Sequence, residues 1–364
     1  MGKVYSALGL MSGTSGDGVD SSIIQSDGMD KFMIKFNEYH PYPSLISSEI
    51  HRIKEKIQSS SDLAKFTNEL EILEDKLTTF HSDIVKRWDK SLHLDLIGFH
   101  GQTILHNSEE KLSRQLGLGE KLSKLTKKIV IYNFRQNDLK NGGEGAPLAP
   151  IYHKLLVKAF KDKRKLTLPV IILNIGGIAN ITIINKNYKM SSMDIGPGNC
   201  LIDKWIRLNS DKKFDESGNI SRSGKIDKFI LDQALDIFYY NKISKKKSLD
   251  TNDFELSFAR GLTLENGAAT ITEFTADILS KKLLEFDVYV CGGGRKNKFL
   301  LESIEKKITG TLRTIDSLGI DGGYIESQAF GYLAIRSFLG LPISYPETTG
   351  CKKACTGGIL VKNF

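Results

Sequence analysis

A short stretch near the N-terminus, LGLMSGTSGDGVDSSII (residues 8–24), places small polar residues between two apolar runs. Backbone N–H groups in such a turn can cradle phosphate oxygens, and the hydroxyls of Thr14 and Ser15 add two donors. Asp17 and Asp20 carry oxygen atoms that can hold Mg²⁺, directly or through water. For this stretch taken alone, a hairpin loop with ordinary turn chemistry is the simpler explanation.

Two later glycine turns shift the balance towards phosphate binding. Residues 168–187 repeat the order strand, glycine turn, strand, and residues 286–304 place three glycines between a strand and a helix start. Two phosphate hairpins followed by a glycine turn on the adenosine side resemble an actin-like nucleotide clamp. The spacings of a P-loop and of a G-x-G-x-x-G turn are absent. The glycines of the two later turns are Gly176, Gly177, Gly292, Gly293 and Gly294.

Asp194, in SSMDIGPGNCLIDKWI, is the carboxylate most suited to chemistry. The pattern predicts a strand end that presents Asp194, with a helix beginning near Asn199. A carboxylate there can act as a general base when an oxygen nucleophile attacks. A turn-forming or helix-capping aspartate is the alternative. Asp203, on the helix that follows, offers a second carboxylate, although an exposed surface position fits it better.

Two polar clusters suit a sugar substrate. His100 and Gln102, in GFHGQT, follow a predicted buried strand and are small donors for hydroxyl groups. Arg135 and Asp138, in FRQNDLKNGGEGAP, form a second cluster, in which the guanidinium suits a carboxylate. A satisfied structural histidine is an equally good explanation for His100. No Ser-His-Asp or G-x-S-x-G pattern points to a nucleophilic serine.

The composition is that of a globular protein with two domains. The chain has 364 residues, 40% of them apolar, and a net charge of +8. Lysine clusters without interleaved aromatic residues predict a solvated basic surface and no nucleic-acid partner. No apolar run approaches the ~20 residues of a membrane span and no signal peptide is evident, so we expect a cytoplasmic protein without membrane contact. The four cysteines lack metal-ligand spacing, which favours free thiols.

The predicted elements divide the chain into two similar α/β halves. In each half, two strands joined by a glycine turn are followed by a long helical region and then by a strand that ends in glycine. The other predicted elements include strands over 4–10 and 19–25, an apolar helix stripe from Leu63 to Trp88, a short strand in 94–106 that breaks at Gly98 and Gly101, and a helix in 324–342. We expect one domain to comprise 1–132 plus about 340–364 and the other 133–339.

The motifs together resemble one family, the anhydro-N-acetylmuramic acid kinases, which are sugar kinases of the actin, Hsp70 and hexokinase superfamily. Gly16 stands where the family usually has leucine. The resemblance implies two actin-like, ribonuclease-H-like domains with a nucleotide cleft between them. The segments that carry it occur in the family's order along nearly the whole chain, and the first and third are close to unique to the family: GLMSGTSGDGVD, GFHGQT, FRQNDLKNGGEGAPLAPIYH, LNIGGIANIT, DIGPGN, CGGGRKN and IESQAFGYLAIR.

The resemblance also implies a reaction. A sugar with an internal 1,6-anhydro bond, released in cell-wall turnover, would be opened by water activated by Asp194, while ATP phosphorylates O6. The metal would be Mg²⁺, held by Asp17 directly or through water. The implied nucleotide-binding residues are Gly13, Thr14, Ser15, Gly16, Asp17, Gly18, Val19, Asp20, Gly176, Gly177, Asn180, Gly292, Gly293 and Gly294. The implied substrate-binding residues are His100, Gln102, Arg135 and Glu326.

Two alternatives stay open at this point. One is another sugar kinase of the same superfamily, and the other is an actin-like or chaperone-like ATPase that binds protein partners. A homodimer is a common oligomeric state among such kinases.

Overall fold

The structure is a computed structural model that describes residues 2–13, 15–57, 59–89, 92–107, 110–164, 166–241, 249 and 251–364. Thr14, which the sequence assigns to the first glycine turn, lies outside the described residues. The chain divides into two compact units, the first made of Met1–Ala159 and Tyr324–Phe364 and the second of Phe160–Gly323.

Strands alternate with helices in both units, as the sequence predicts for an α/β protein. The strands are β1 (Tyr5–Ser12), β2 (Gly18–Ser26), β3 (Phe32–Pro41), β4 (Leu96–Asn107), β5 (Leu112–Leu116), β6 (Ile129–Tyr132), β7 (Val170–Ile175), β8 (Ile178–Ile184), β9 (Met190–Pro197), β10 (Asp287–Cys291), β11 (Leu312–Thr314) and β12 (Ile359–Val361). The helices are α1 (Ser44–Lys56), α2 (Ser60–Lys65), α3 (Thr67–Asp89), α4 (Gly119–Thr126), α5 (Gln136–Lys140), α6 (Pro150–Arg164), α7 (Cys200–Asn209), α8 (Asn219–Ser223), α9 (Lys228–Tyr240), α10 (Leu264–Ser280), α11 (Lys298–Glu305), α12 (Ile325–Phe338) and α13 (Pro346–Thr349).

A seven-stranded sheet forms the centre of the first unit. Its strand order is β12-β6-β4-β1-β2-β3, with β5 paired to β4. Strands β1 to β3 form an antiparallel meander, whereas β1, β4 and β6 run parallel. Helix α12 packs across β1, β2 and β4. This close approach needs Gly9 and Gly98, because a Cβ on either residue would collide with the main chain of α12.

The second unit repeats this plan with five strands in the order β11-β10-β7-β8-β9. Strands β7 to β9 form the antiparallel meander, and β7, β10 and β11 run parallel. In both units the first strand of the meander therefore lies at the centre, next to a parallel strand that follows much later in the chain. This repeated topology confirms the expected α/β fold of two actin-like, ribonuclease-H-like domains.

The borders between the units differ from the expected 132 and 340. The structure places them after Ala159 and after Gly323. Helix α12 belongs to the first unit because it covers that unit's sheet. The border falls inside α6, whose first ten residues belong to the first unit, where the hydroxyl of Tyr152 donates to Gln328 Oε1 at 2.8 Å.

Two elements differ from the prediction in their continuity. The apolar stripe that begins at Leu63 is divided at Phe66 into α2 and α3. Strand β4 runs unbroken through Gly98 and Gly101, because β1, β5 and β6 pair along its length. Gly101 has φ +77° and lies where the pairing of β4 with β1 changes register, so it bends the strand without ending it.

Each unit encloses its own apolar core. In the first unit Leu8, Ile23 and Ile97 are almost fully buried beneath α1 and α3. In the second, Ile171 and Trp205 belong to the corresponding cluster under α7 and α10. Among the described helices, none is both long and apolar enough to cross a membrane.

Candidate functional site

The first glycine turn, residues 13–17, is tied to the elements that follow β2. The N–H of Tyr42 donates to the carbonyl oxygen of Asp17 at 2.8 Å. The hydroxyl of Ser47 donates to the carbonyl oxygen of Gly16 at 2.9 Å. These bonds turn two carbonyl oxygens towards the protein, which removes from the outer face of the turn groups that would repel an anion.

Gln102 links the same turn to β4. Its Nε2 donates to the carbonyl oxygen of Gly13 at 2.9 Å and to that of Thr103 at 3.3 Å. Because both partners are acceptors, the orientation of the amide is fixed, and Oε1 is left buried without a hydrogen-bond partner among the described residues. Gln102 therefore lies inside a strand rather than past its end, and it holds the turn.

Three residues expected in the nucleotide turn belong to β2 instead. Gly18, Val19 and Asp20 pair with β3, and the side chain of Val19 is part of the apolar core. Gly18 is required by packing, because a Cβ there would collide with the carbonyl oxygen of His40. The side chain of Val19 is therefore not one that a ligand can contact.

Two carboxylates lie beside the first turn. Burial raises the pKa of Tyr39, and the negative charges of Asp17 and Asp20 raise it further, so both carboxylates are close to this ring. Asp17 is exposed and Asp20 is half-buried. Carboxylate oxygens next to a phosphate turn are the ligands that Mg²⁺ takes, so these residues fit the expected ion.

The second glycine turn, Gly176 and Gly177 between β7 and β8, is held by backbone hydrogen bonds among the described residues. The N–H groups of Gly198 and Cys200 donate to the carbonyl oxygen of Gly177 at 2.9 and 3.2 Å. The N–H of Asn199 donates to the carbonyl oxygen of Gly176 at 2.8 Å. The start of α7 thus fixes this turn, and no side chain of the described residues donates to its two carbonyl oxygens.

The third glycine turn is clamped by Arg295, a residue that the sequence prediction missed. The guanidinium donates to the carbonyl oxygen of Gly292 at 3.2 Å, to Asp316 at 3.0 Å and to Asp321 at 2.7 Å. The N–H of Gly292 donates in turn to the carbonyl oxygen of Gly322 at 3.1 Å. The only sequence signal for Arg295 is its position directly after three glycines. Its two acidic partners, Asp316 and Asp321, follow 21 and 26 residues later in the chain.

At least one glycine in each turn is required by neither backbone conformation nor packing. Gly13, Gly177 and Gly293 have φ values outside the left-handed region, and a Cβ built on each would lie 3.8, 3.7 and 3.9 Å from its nearest described neighbour. By contrast, Gly292 has φ +79° and a Cβ there would collide with Asn174. A glycine that the free protein does not need is expected where a ligand must approach the backbone closely.

Asp194 lies inside β9, not at a strand end as expected. Asn180 of β8 is directly opposite, and the register shifts beside this pair so that Ile195 is an extra residue. Such a β-bulge bends the strand and re-aims its side chains, and bulges are common next to active sites. The N–H of Leu249 donates to Asp194 Oδ2 at 2.9 Å and helps to orient the carboxylate.

Buried His100 and half-buried Arg135 form a pair in the first unit. Arg135 Nη2 lies 2.9 Å from His100 Nε2, and His100 Nδ1 lies 2.7 Å from the carbonyl oxygen of Gly101. Because a guanidinium has only donors, Nε2 accepts and Nδ1–H donates. Burial and the charge of Arg135 hold the pKa of His100 well below its ordinary value, so the ring is neutral. Both ring nitrogens are engaged, and His100 therefore orients Arg135.

Glu326, in the first turn of α12, lies near Arg135. Desolvation by neighbouring protein atoms raises the pKa of the Glu326 carboxyl, and the positive charge of Arg135 opposes that rise. Burial likewise lowers the pKa of Arg135, against the charges of Glu326 and Asp138, yet a guanidinium remains protonated. His100, Arg135 and Glu326 are thus brought together, as the sequence expects of substrate-binding residues.

Asp138 fixes the loop that supports Arg135. Its Oδ2 accepts from the N–H of Gly145 at 2.7 Å, and its Oδ1 accepts from the hydroxyl of Thr349 at 2.7 Å. The carbonyl oxygen of Gly145 in turn accepts from Arg135 Nη1 at 2.8 Å. The cluster of Arg135 and Asp138 expected from the sequence therefore exists, but it is connected through the Gly145 backbone.

Asp203 is half-buried on α7 rather than exposed as expected. Burial raises the pKa of Asp203 to about 6; the charge of Arg207 opposes this rise and that of Asp215 adds to it. No hydrogen bond connects Asp203 with the glycine turns among the described residues, so the structure gives it no place in the site.

Comparisons with known proteins point to one family. The family model described as anhydro-N-acetylmuramic acid kinase matches residues 5–363. The chain is similar to proteins named anhydro-N-acetylmuramic acid kinase from Pelagibacter ubique, at 48% identity with 100% of both chains covered, and from Agrobacterium fabrum, at 36% identity with 100% of both chains covered. A third relative of that name, from Acidiphilium cryptum, is 34% identical and 98% of each chain is covered.

Proposed function

The chain belongs to the anhydro-N-acetylmuramic acid kinase family, and we propose that it opens the 1,6-anhydro ring of anhydro-N-acetylmuramic acid with water while ATP phosphorylates O6. The products are N-acetylmuramic acid 6-phosphate and ADP, a step in the recycling of cell-wall sugars. Family membership favours this reaction over the other sugar kinases and the chaperone-like ATPases that the sequence left open. The observation that carries the mechanism is Asp194 beside its β-bulge, opposite Asn180.

Asp194 is the general base of this proposal. The bridging oxygen of an anhydro sugar has no proton to give up, so a base that only deprotonates a hydroxyl would have nothing to act on. Asp194 instead takes a proton from water as the water oxygen bonds to the anomeric carbon. The bond between that carbon and O6 breaks, and O6 takes the γ-phosphoryl group of ATP. The N–H of Leu249, bound to Oδ2, holds the carboxylate in one orientation for this proton transfer.

The three glycine turns bind ATP. Gly13 and Gly177 offer backbone N–H groups to the phosphates, and Gly293 receives the adenosine side, because each can be approached without displacing a side chain. Mg²⁺, when bound, supplies positive charge to the transferring phosphoryl group. Asp17 would hold it directly or through water, with Asp20 close by.

Arg135 recognises the carboxylate of the sugar's lactyl group. The neutral ring of His100 and the carbonyl oxygen of Gly145 fix the guanidinium from two sides. A guanidinium held in this way is suited to paired hydrogen bonds with a planar carboxylate. Glu326 beside it accepts hydrogen bonds from the hydroxyl or amide groups of the same sugar.

The proposal is tested by supplying the purified protein with Mg²⁺, ATP and the anhydro sugar. We expect ADP release that depends on the sugar, and a product whose phosphate is on the primary oxygen, measured by an ADP-coupled assay and ³¹P NMR. The matched control is N-acetylglucosamine, which lacks both the lactyl carboxylate and the internal bond. Equal turnover of both sugars, or ADP release without either, would contradict the proposal.

A further inference from the structure

A buried cluster of two thiols and a carboxylate lies in the first unit. Cys351 is 2% exposed, Cys355 is 7% exposed and Asp138 is 1% exposed. One oxygen of Asp138 and the two Sγ atoms all lie within 4.8 Å of one another. Within the described ranges of the chain, no other three His, Cys, Asp or Glu side chains are grouped in this way. The third member is separated from Cys351 by most of the chain, so cysteine spacing alone could not reveal the group.

The dimensions of the cluster suit a tetrahedral metal site. With Zn–S bonds of about 2.3 Å, neighbouring ligand atoms of such a site lie about 3.8 Å apart. Cys355 Sγ lies 3.9 Å from Asp138 Oδ1. The ligand atoms therefore need only small side-chain movements to surround one ion.

The surroundings of Asp138 also suit a ligating carboxylate. Carboxylates that bind metals are usually held by hydrogen bonds from the second shell of residues. Here the N–H of Gly145 and the hydroxyl of Thr349 donate to the two oxygens, each at 2.7 Å. The Thr349 hydroxyl also lies against Cys351, so it is placed to complete the fourth position.

We propose that Asp138, Cys351 and Cys355 form a structural zinc site, with the Thr349 hydroxyl or a water as the fourth ligand. Zn²⁺ replaces the two thiol protons, so two protons are released to solvent and no oxidant or reductant takes part. The ion joins the C-terminal segment of the first unit to Asp138. Through Gly145 it also secures the loop that holds Arg135.

The metal competes with a hydrogen-bonded thiol state. Cys351 Sγ donates to the carbonyl oxygen of Lys353 at 3.2 Å, and Cys355 Sγ lies 3.1 Å from Ser344 Oγ. Burial raises the pKa of Cys351 to about 11, so its proton is present at neutral pH in the metal-free protein. Zinc must displace that proton, and the soft thiolate ligands that result are those zinc prefers.

The test measures metal in the whole protein, expressed in zinc-supplemented medium and purified without chelators. We expect about one Zn²⁺ per chain by mass spectrometry of the elements, both in the wild type and in a Cys291→Ser control, whose thiol lies outside the cluster. The double variant Cys351→Ser/Cys355→Ser should lose the ion. Replacing zinc by Co²⁺ in the wild type should produce a thiolate-to-cobalt charge-transfer band, a readout that depends on no variant and on no kinase activity.

Three outcomes would overturn the zinc site. Metal-free protein with four titratable thiols after denaturation would show that the cluster is only a hydrogen-bonded thiol pair. Metal-free protein with two titratable thiols would show a disulfide between Cys351 and Cys355. Zinc retained by the double variant would place the ion elsewhere. Each outcome is measured as metal content or as a thiol count, without any kinase assay, so the zinc site can be tested separately from the proposed reaction.

Discussion

The first two glycine turns occupy the same place in the same topology, yet the protein holds them in different ways. The turn at residues 13–17 is secured by the backbone N–H of Tyr42 and also by two side chains, with Ser47 and Gln102 bound to its carbonyl oxygens. Within the part of the chain that the structure describes, the carbonyl oxygens of Gly176 and Gly177 are bound by N–H groups at the start of α7. The two turns of a repeated fold thus differ in whether described side chains take part in holding them.

The units also differ in what surrounds these turns. The first contains all seven histidines and the network of His100, Arg135 and Asp138. The second contains Asp194 on its bulged strand and no histidine. We infer a division of labour in which the first unit orients the sugar and the second supplies the base.

The largest test of this division is Asp194→Asn. The amide keeps the size of the side chain but cannot accept the proton of water, so we expect kcat to fall by about 10²–10⁴-fold. The KM for ATP should change little, because the glycine turns are intact. Steady-state kinetics check both values. A higher KM with an unchanged kcat would assign Asp194 to binding and would contradict its role as the base supplied by the second unit.

Arg135→Lys tests the sugar-binding side. Lysine keeps the charge but loses the planar fork that contacts His100 and Gly145, so we expect the KM for the anhydro sugar to rise by about 10–100-fold. The kcat should fall far less than in the Asp194 variant. Arg52→Lys, at an exposed pair with Glu69, is the control and should have no effect. A change in kcat alone would contradict the assigned role.

Acid should destabilise the first unit and not the second. Burial lowers the pKa of His81 and of His153 to about 4, so between pH 6.5 and 4 the unfolded state binds more protons and stability falls as pH falls. The expected slope is about 1.4 kcal/mol per pH unit for each group, near tenfold in the unfolding equilibrium. Asp203, in the second unit, has the opposite effect on the pH dependence of stability. Its pKa is raised to about 6, so the folded unit retains a proton that the unfolded chain loses, and stability rises as pH falls through this range.

One tryptophan in each unit makes this pH test possible. Trp205→Phe leaves Trp88 to report on the first unit, and Trp88→Phe leaves Trp205 to report on the second. Urea unfolding followed by fluorescence at pH 7 and pH 5 should show a falling midpoint for Trp88 only. Parallel losses from both reporters would contradict the difference in histidine content.

The smallest expected effect comes from Gly177→Ala. The added methyl group would lie 3.7 Å from its nearest described neighbour, so unfolding should be unchanged, while the KM for ATP rises by roughly tenfold or less. Gly198→Ala is the matched contrast, since its Cβ would collide with the carbonyl oxygen of Gly176 and destabilise the fold by about 1–3 kcal/mol. Thermal unfolding and ATP titration distinguish the two variants. Equal destabilisation by both would contradict the inference that the folded protein has room for a side chain at Gly177.

Much of the fold could be predicted from the sequence because its signals are local. Alternating apolar residues and glycines predicted the strands on both sides of the Gly13 and Gly177 turns, and an apolar stripe predicted α12. The unbroken β4 was missed because Gly98 serves the packing of α12, a contact between distant segments.

The site could be predicted only as a list of residues. The pairing of His100 with Arg135, the clamp around Arg295 and the bulge at Ile195 depend on sheet register and on loops brought together by folding. The same is true of Asp138 beside Cys355, which no spacing rule connects. Motif order can indicate which residues matter, whereas their partners follow from tertiary structure.

The central claim is that Asp194 activates water for ring opening coupled to phosphorylation. The most direct measurement incubates the protein with Mg²⁺, ATP and the anhydro sugar in ¹⁸O-labelled water and analyses the product by mass spectrometry, with Asp194→Asn in parallel. We predict one ¹⁸O atom at the anomeric carbon, unlabelled phosphate on O6, and loss of this product in the variant. Label in the phosphate, or a phosphorylated sugar without ¹⁸O at the anomeric carbon, would contradict the account.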